Sequence, residues 1–77
     1  MTETKLSQIE DRLRPKIDEG IVLSVERLFG GYGREYRNHH MIIVGGMPAD
    51  FGKYAAEIID ELSDIDPAPS IFQRHGD

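Results

Sequence analysis

The chain contains no cysteine and no tryptophan. Without cysteine it can form neither a disulfide nor a zinc–thiolate site, and a 77-residue chain without such links has one small core and little stability to spare. An absence of cysteine is also typical of reducing compartments. No apolar run approaches the roughly 20 residues that a membrane-spanning helix needs, and the opening MTETKLSQIE is polar, unlike a signal peptide. We therefore expect a cytoplasmic protein of one small domain.

Positive charge is also scarce, and it is unevenly placed. Nine Lys and Arg residues face 14 Asp and Glu residues, which gives a net charge of −5. Residues 48–77 carry seven acids and two bases, which by itself accounts for a net −5. A general nucleic-acid binder neutralises phosphates with clustered Lys and Arg, so this charge pattern argues against that class of protein.

Apolar periodicity predicts a helix near each end of the domain. Residues 6–17 carry an apolar residue every three or four positions, interrupted by Pro15, so this helix either kinks or ends near Arg14. Residues 48–66 have a similar pattern, with Pro48 in the first turn. The predicted apolar positions are Leu6, Ile9, Leu13 and Ile17 in the first helix and Phe51, Ala55, Ile58 and Leu62 in the second.

Two strands lie between these helices. Residues 21–29 are rich in β-branched side chains, and a second apolar run covers about 34–44. The segment GGYG, residues 30–33, is a strong turn signal. A loop at 30–33 makes facing positions sum to 63 and places the first strand's Ile21, Leu23 and Val25 toward the helices. The predicted facing pairs are Glu26 with Arg37, Arg27 with Tyr36, Ile21 with Ile42, Leu23 with His40, and Ser24 with His39.

These elements predict an α+β fold of order αββα, with both helices packed on one face of a β-hairpin. Residues 1–66 form the domain and residues 67–77 a proline-containing tail, whose Ile71 and Phe72 can fold back onto it. The other face of the hairpin has no cover, which predicts self-association as a homodimer, either through that face or by completing a four-stranded sheet. The residues assigned to this contact are Val22, Leu28, Met41 and Ile43.

No catalytic or metal-binding pattern stands out. The segment VGGMPADFGKY follows a strand and opens a helix, but its glycine spacing and Tyr54 do not fit a phosphate-binding loop. His39 and His40 point to opposite faces of a strand, so they cannot share one metal ion. No serine lies in a nucleophile elbow. We therefore expect a protein that is not an enzyme and that uses no cofactor and no metal.

Two surfaces are candidates for partner binding. The segment LFGGYGREYRNHH combines aromatic and basic residues of the types found at interface hot spots, although an ordinary turn with solvated side chains has the same composition. The second helix carries four acids on one side, which we call the acidic stripe; a solvated helix face is the usual origin of such a pattern. The candidate residues are Tyr32, Arg34, Tyr36, Arg37 and His39 in the hairpin, and Glu57, Asp60, Glu61 and Asp64 in the acidic stripe.

In size, acidity and lack of cysteine the chain resembles small accessory proteins of phages and mobile elements, among them the anti-CRISPR inhibitors. The resemblance is one of size and composition and includes no motif. It implies an inhibitor whose acidic stripe mimics phosphates and blocks a basic channel of a larger nucleic-acid-binding complex. More generally, we expect a protein-binding module. The alternatives are a weak single-strand nucleic-acid binder that uses the hairpin, and a dimeric subunit with a structural role.

Overall fold

The computed structural model describes residues 5–30 and 37–74, with the backbone alone for residues 28–30 and 37–38. Helices pack on a mixed sheet whose strand order is β1-β2-β3, which confirms the predicted α+β class. β1 and β2 are antiparallel and β3 runs parallel to β2. In chain order the elements are α1 (Lys5–Arg12), α2 (Arg14–Asp18), β1 (Val22–Gly30), β2 (Arg37–Val44), α3 (Pro48–Glu61) and β3 (Ser70–Gln73).

Pro15 divides the first predicted helix into α1 and α2. Its nitrogen carries no hydrogen to donate to the preceding turn, and the regular helix is interrupted at Leu13. The apolar phase continues across the break, because the Leu13 N–H donates to the Ile9 carbonyl at 3.0 Å and the Ile17 N–H to the Leu13 carbonyl at 2.8 Å. The sequence left open whether this helix kinks at Pro15 or ends near Arg14, and the structure shows the kink.

The predicted register of the hairpin is wrong by four positions. Facing residues from Ser24 onward sum to 67, so Val25 lies opposite Ile42 and Arg27 opposite His40. This register brings two buried apolar residues of β2 against apolar residues of β1. Full burial of one such side chain contributes about 1.5–3 kcal/mol, whereas a favourable cross-strand pair contributes about 0.2–1 kcal/mol. The charge and cation–aromatic pairs used for the prediction were therefore the weaker criterion.

A β-bulge between Val22 and Ser24 changes which side chains of β1 face the helices. A bulge adds one residue to one strand, so the alternation of faces shifts at that point. Val22 is buried, at 2% exposure, and Leu23 is 48% exposed. Both placements reverse the prediction, which had put Val22 on the uncovered face and Leu23 toward the helices.

The core lies between the inner face of the sheet and the three helices. Its members include residues from both predicted helical stripes and from β1 and β2, and α2 adds the partly buried Ile17. Ile65, just after α3, also belongs to it. The buried apolar residues are Ile9, Leu13, Val22, Ile42, Val44, Ile58, Leu62 and Ile65.

The segment assigned to the tail contains the third strand, which the predicted αββα order lacks. Ile71 lies opposite Ile42 and packs against the core. The strand is held at its end by the Arg74 N–H, which donates to the Val44 carbonyl at 2.9 Å, and by the Gln73 side chain, which donates to the Gly46 carbonyl at 2.9 Å. The expectation that Ile71 and Phe72 fold back onto the domain is confirmed.

Candidate binding surfaces

The face of the sheet turned away from the helices carries apolar side chains from all three strands, and we call it the outer face. Phe72 of β3 lies beside Ile43 of β2, and Ser24 is the β1 residue opposite Ile43. Leu23, at the bulge, lies against Gly45, where a Cβ would come 3.2 Å from the Leu23 Cδ atoms. Leu23 is 48% exposed and Phe72 47% exposed, while Ile43 is half-buried. Met41 is also half-buried and lies on the same face, two residues before Ile43. The outer face therefore has apolar side chains on each of its three strands, with Ser24 and Glu26 of β1 opposite Ile43 and Met41.

The outer face also carries polar residues. Ser24 donates its hydroxyl to the Glu26 carboxylate at 3.1 Å, so this acid has a local partner. His39 and Ser70 lie on the neighbouring strands and line a surface cavity of about 310 Å³ with residues 66–68. Among the described side chains, Glu26 is the one carboxylate on the strands of this face, and Asp66 lies at its border beside the cavity. The outer face is accordingly much less charged than the helical side of the molecule.

The acidic stripe lies beside a groove between α3 and the two N-terminal helices. Arg12 makes a two-bond ion pair with Asp64, in which Nη2 lies 2.9 Å from Oδ2. Lys16 Nζ lies 3.2 Å from Glu57 Oε1. Hydrogen bonding and the nearby guanidinium lower the pKa of Asp64, and the same contact raises the pKa of Arg12. These pairs connect α3 to α1 and α2.

Two of the four stripe acids are therefore used within the molecule. Asp60 and Glu61 are exposed, and neither forms an ion pair with the segments that the structure describes. They line the groove, which has a volume of about 400 Å³, together with Arg12 and Lys16. A stripe with two neutralised members and two basic neighbours is less negative than its sequence indicates.

The two adjacent histidines have different environments. His40 is buried in the helix-facing layer, opposite Arg27, where desolvation and then the charges of Arg27, Lys5 and His39 lower its pKa. His39 lies on the outer face opposite Leu28. The predicted neighbours, Leu23 for His40 and Ser24 for His39, are wrong because of the register shift, whereas the placement on opposite faces follows from strand alternation.

Most of the hairpin candidates lie outside the described residues. These are Tyr32, Arg34 and Tyr36, so their part in binding stays a prediction. Arg37 is described by its backbone, which pairs with Gly30. Leu28 is likewise described by its backbone, which lies opposite His39. A contact between copies through Leu28, Met41 and Ile43 also stays a prediction.

Sequence reasoning missed Leu23 and Phe72 as members of the outer face. Leu23 was assigned to the core because nothing in the sequence marks the bulge. Gly45 is the nearest signal, since a Cβ there would lie 3.2 Å from the Leu23 Cδ atoms. Phe72 was named as a residue that folds back, but its strand, and hence its face, was not predicted.

The described segments hold no group of three His or acidic residues able to bind a metal ion. Within the same segments, no helix has both the length and the apolar character needed to cross a bilayer. The chain matches no family model, no curated protein and no solved structure.

Proposed function

We propose that this protein is a non-enzymatic binding module that docks on another protein through the outer face. The apolar side chains of Leu23, Ile43 and Phe72 on this face support this proposal. Each such side chain gains about 1.5–3 kcal/mol when it moves from full exposure to full burial. Contiguous exposed apolar surface with a polar rim is typical of protein-interaction sites.

The charge layout favours a partner with an apolar contact surface. Glu26 is hydrogen-bonded to Ser24, and the acidic residues Asp60 and Glu61 lie on the helical side of the molecule. Docking through the outer face therefore desolvates little charge, which keeps the cost of binding low. The acids on the opposite side maintain solubility and repel non-specific contacts with anionic molecules.

A narrower form of this proposal is an inhibitor that uses the acidic stripe to block a basic channel. Asp60 and Glu61 support it, because both are exposed and available. The ion pairs of Glu57 and Asp64 weaken it, because a phosphate mimic needs unneutralised carboxylates. We therefore place the outer face first and the acidic stripe second as the docking surface.

The test is affinity capture from extracts of the source cells, followed by binding measurements with the purified partner. Ile43→Asp adds a carboxylate beside Phe72 on this face, and we expect it to raise the dissociation constant at least 100-fold, because that charge must be desolvated on docking. The matched control is the double variant Asp60→Asn and Glu61→Gln, which should bind within about threefold of the wild type.

If the double variant loses binding and Ile43→Asp keeps it, the acidic stripe is the docking surface, which would support the inhibitor hypothesis. Binding that survives both variants would refute docking through either surface. The nucleic-acid alternative is checked by titrating a labelled single-stranded oligonucleotide at low salt. We expect no saturable binding, because the net charge of −5 opposes it.

A further inference from the structure

The third strand leaves one edge of the sheet open. β3 is the outermost strand and pairs with β2 alone among the described segments. The Arg74 N–H points toward β2, where it donates to Val44. Because successive residues of a strand direct their backbone groups to alternate sides, the N–H and C=O groups of Ile71 and Gln73 point away from β2. No described residue pairs with them, so this edge can accept another strand.

A small apolar cavity adjoins this edge. It has a volume of about 240 Å³ and lies between the C-terminal part of α3 and the start of β3. Ile59 stands at its rim with 61% exposure, whereas Leu62 at its base is buried. The residues that line the cavity are Ile59, Leu62, Ser63, Ala68, Pro69 and Ile71.

The exposed side of α3 next to the cavity is small and uncharged. Gly52, Ala56, Ile59 and Ser63 follow one another at spacings of four, three and four, so they form one line along the helix. A Cβ at Gly52 would meet nothing within 4 Å. Of the acidic stripe, Asp60 flanks this line, four residues after Ala56, whereas Glu57, Glu61 and Asp64 lie farther round the helix. Another helix can therefore approach α3 closely here, with Asp60 at the border of the contact.

We propose that a second copy of this chain occupies this edge, with its β3 antiparallel to the first about a two-fold axis through Phe72. Ile71 then lies opposite Gln73 of the second copy, and their outward backbone groups form a hydrogen-bonded pair in each half of the interface. The two three-stranded sheets become one six-stranded sheet. The α3 helices meet across the axis, and Ile59 of each copy packs at the other's cavity.

Charge and register favour a second copy over a foreign strand. Ser70, Ile71, Phe72 and Gln73 are all uncharged, so two chains of net charge −5 meet without bringing acids together. Phe72 is 47% exposed. The two-fold arrangement places it directly opposite Phe72 of the second copy. A closed two-fold dimer is the commonest way for a chain to satisfy a self-complementary surface.

The arrangement has a consequence for binding. The two outer faces become one continuous surface, with the Phe72 pair at its centre. A dimeric partner, or a partner with two related segments, then binds both copies at once. The first contact raises the effective concentration for the second, so the overall affinity increases. The dimer itself depends on the β3 edge and not on what the outer face binds.

The first test is the oligomeric state of the full chain by sedimentation over a micromolar concentration series. The wild type should be a dimer. Gln73→Pro removes an outward N–H and places a proline ring at the edge, and we expect it to raise the dimer dissociation constant at least tenfold. Gln73→Ala is the control, because it loses the same side-chain hydrogen bond to Gly46 but keeps the backbone N–H. A monomeric wild type would overturn the proposal.

A second test stays informative even if the proline variant fails to fold. The chain has no cysteine, so a single introduced cysteine reports one contact. Phe72→Cys places two thiols opposite each other at the axis, and mild oxidation should link most of the protein into covalent dimers. Met41→Cys, on the same face but away from the axis, should give at least tenfold slower linkage. Faster linkage at Met41 than at Phe72 would show face-to-face packing and refute the β3 contact.

Discussion

The assignment of sheet faces can be tested with two neighbouring residues. Ile42 is fully buried on the inner face, and Ile43 is half-buried on the outer face. Ile42→Ala and Ile43→Ala remove the same atoms from adjacent positions of the same strand. Any difference in the free energy of unfolding between them therefore reports the environment and not the chemistry of the change.

Ile42→Ala should cost more than Ile43→Ala. Ile→Ala at a buried site costs about 2–5 kcal/mol, because a cavity remains in the core. At Ile43 the side chain is partly exposed, and no closed cavity forms. Full burial of the three removed carbons is worth about 0.8 kcal/mol each, so the loss at Ile43 should stay below about 2.4 kcal/mol. The whole domain has only about 4–12 kcal/mol to lose, at about 0.05–0.15 kcal/mol per residue.

Urea unfolding followed by circular dichroism measures both variants. With a slope of about 1 kcal/mol per molar urea, the midpoint should fall by about 2–5 M for Ile42→Ala and by a smaller amount, below about 2.4 M, for Ile43→Ala. If Ile42→Ala is unfolded at the outset, Ile42→Val replaces it, with an expected loss of about 0.5–1.5 kcal/mol. Each series is run at two protein concentrations, because association shifts the midpoint. Equal losses at the two positions would refute the face assignment.

Three further predictions concern titration, the acidic stripe and backbone strain. Burial lowers the pKa of His40 in the folded chain. The contribution of His40 to stability is therefore present above the ordinary histidine pKa of about 6.5 and is lost as the pH falls below it. His40→Leu should flatten the decline in urea midpoint between pH 7.5 and 5.5, and an unchanged slope would contradict this. Asp64→Asn should lower the midpoint at low salt but not at 1 M salt, whereas Asp60→Asn should leave it unchanged or higher. Gly46 has a φ of +108°, so Gly46→Ala should lower the free energy of unfolding by about 1–3 kcal/mol. Gly52 lies in open space on α3, so Gly52→Ala should raise it by up to about 1 kcal/mol. A thermal melt that ranks the two variants the other way would contradict the backbone conformation at Gly46.

The helices and the fold class could be predicted because their signals are local. The apolar spacing through Ile9 and Leu13, and that through Ile58 and Leu62, depends only on the helical repeat. Pro15 and Pro48 mark a kink and a start for reasons that involve single backbone groups. These features need no knowledge of the rest of the chain, and the structure contains all of them.

The register and the third strand could not be predicted in the same way, because both depend on distant residues. The pairing of Val25 with Ile42 depends on the length of the connection between the strands. The glycines at 30–33 predicted a shorter connection than the one in the structure. Residues 70–73 form a strand because β2 offers a free edge and Ile71 completes the core. A four-residue segment between a proline and a polar end carries too weak a pattern to show this alone.

The candidate surfaces were predicted unevenly for a related reason. Met41 and Ile43 were assigned to the uncovered face because strand alternation is reliable within one unbroken strand. Glu57 and Asp64 were grouped with Asp60 and Glu61 because the helical wheel shows position but not partners. Their ion pairs with Lys16 and Arg12 depend on how α3 lies against α1 and α2, which no single element specifies.

The bulge at Leu23 connects these observations to function. Without the extra residue, alternation would turn Leu23 inward and Val22 outward. A chain of 77 residues has few large side chains with which to build a core, and an exposed leucine forgoes about 1.5–3 kcal/mol relative to full burial. Departures from the local rules of folding concentrate at functional sites. We therefore expect Leu23, exposed on the same face as Ile43 and Phe72, to be covered when another molecule binds there.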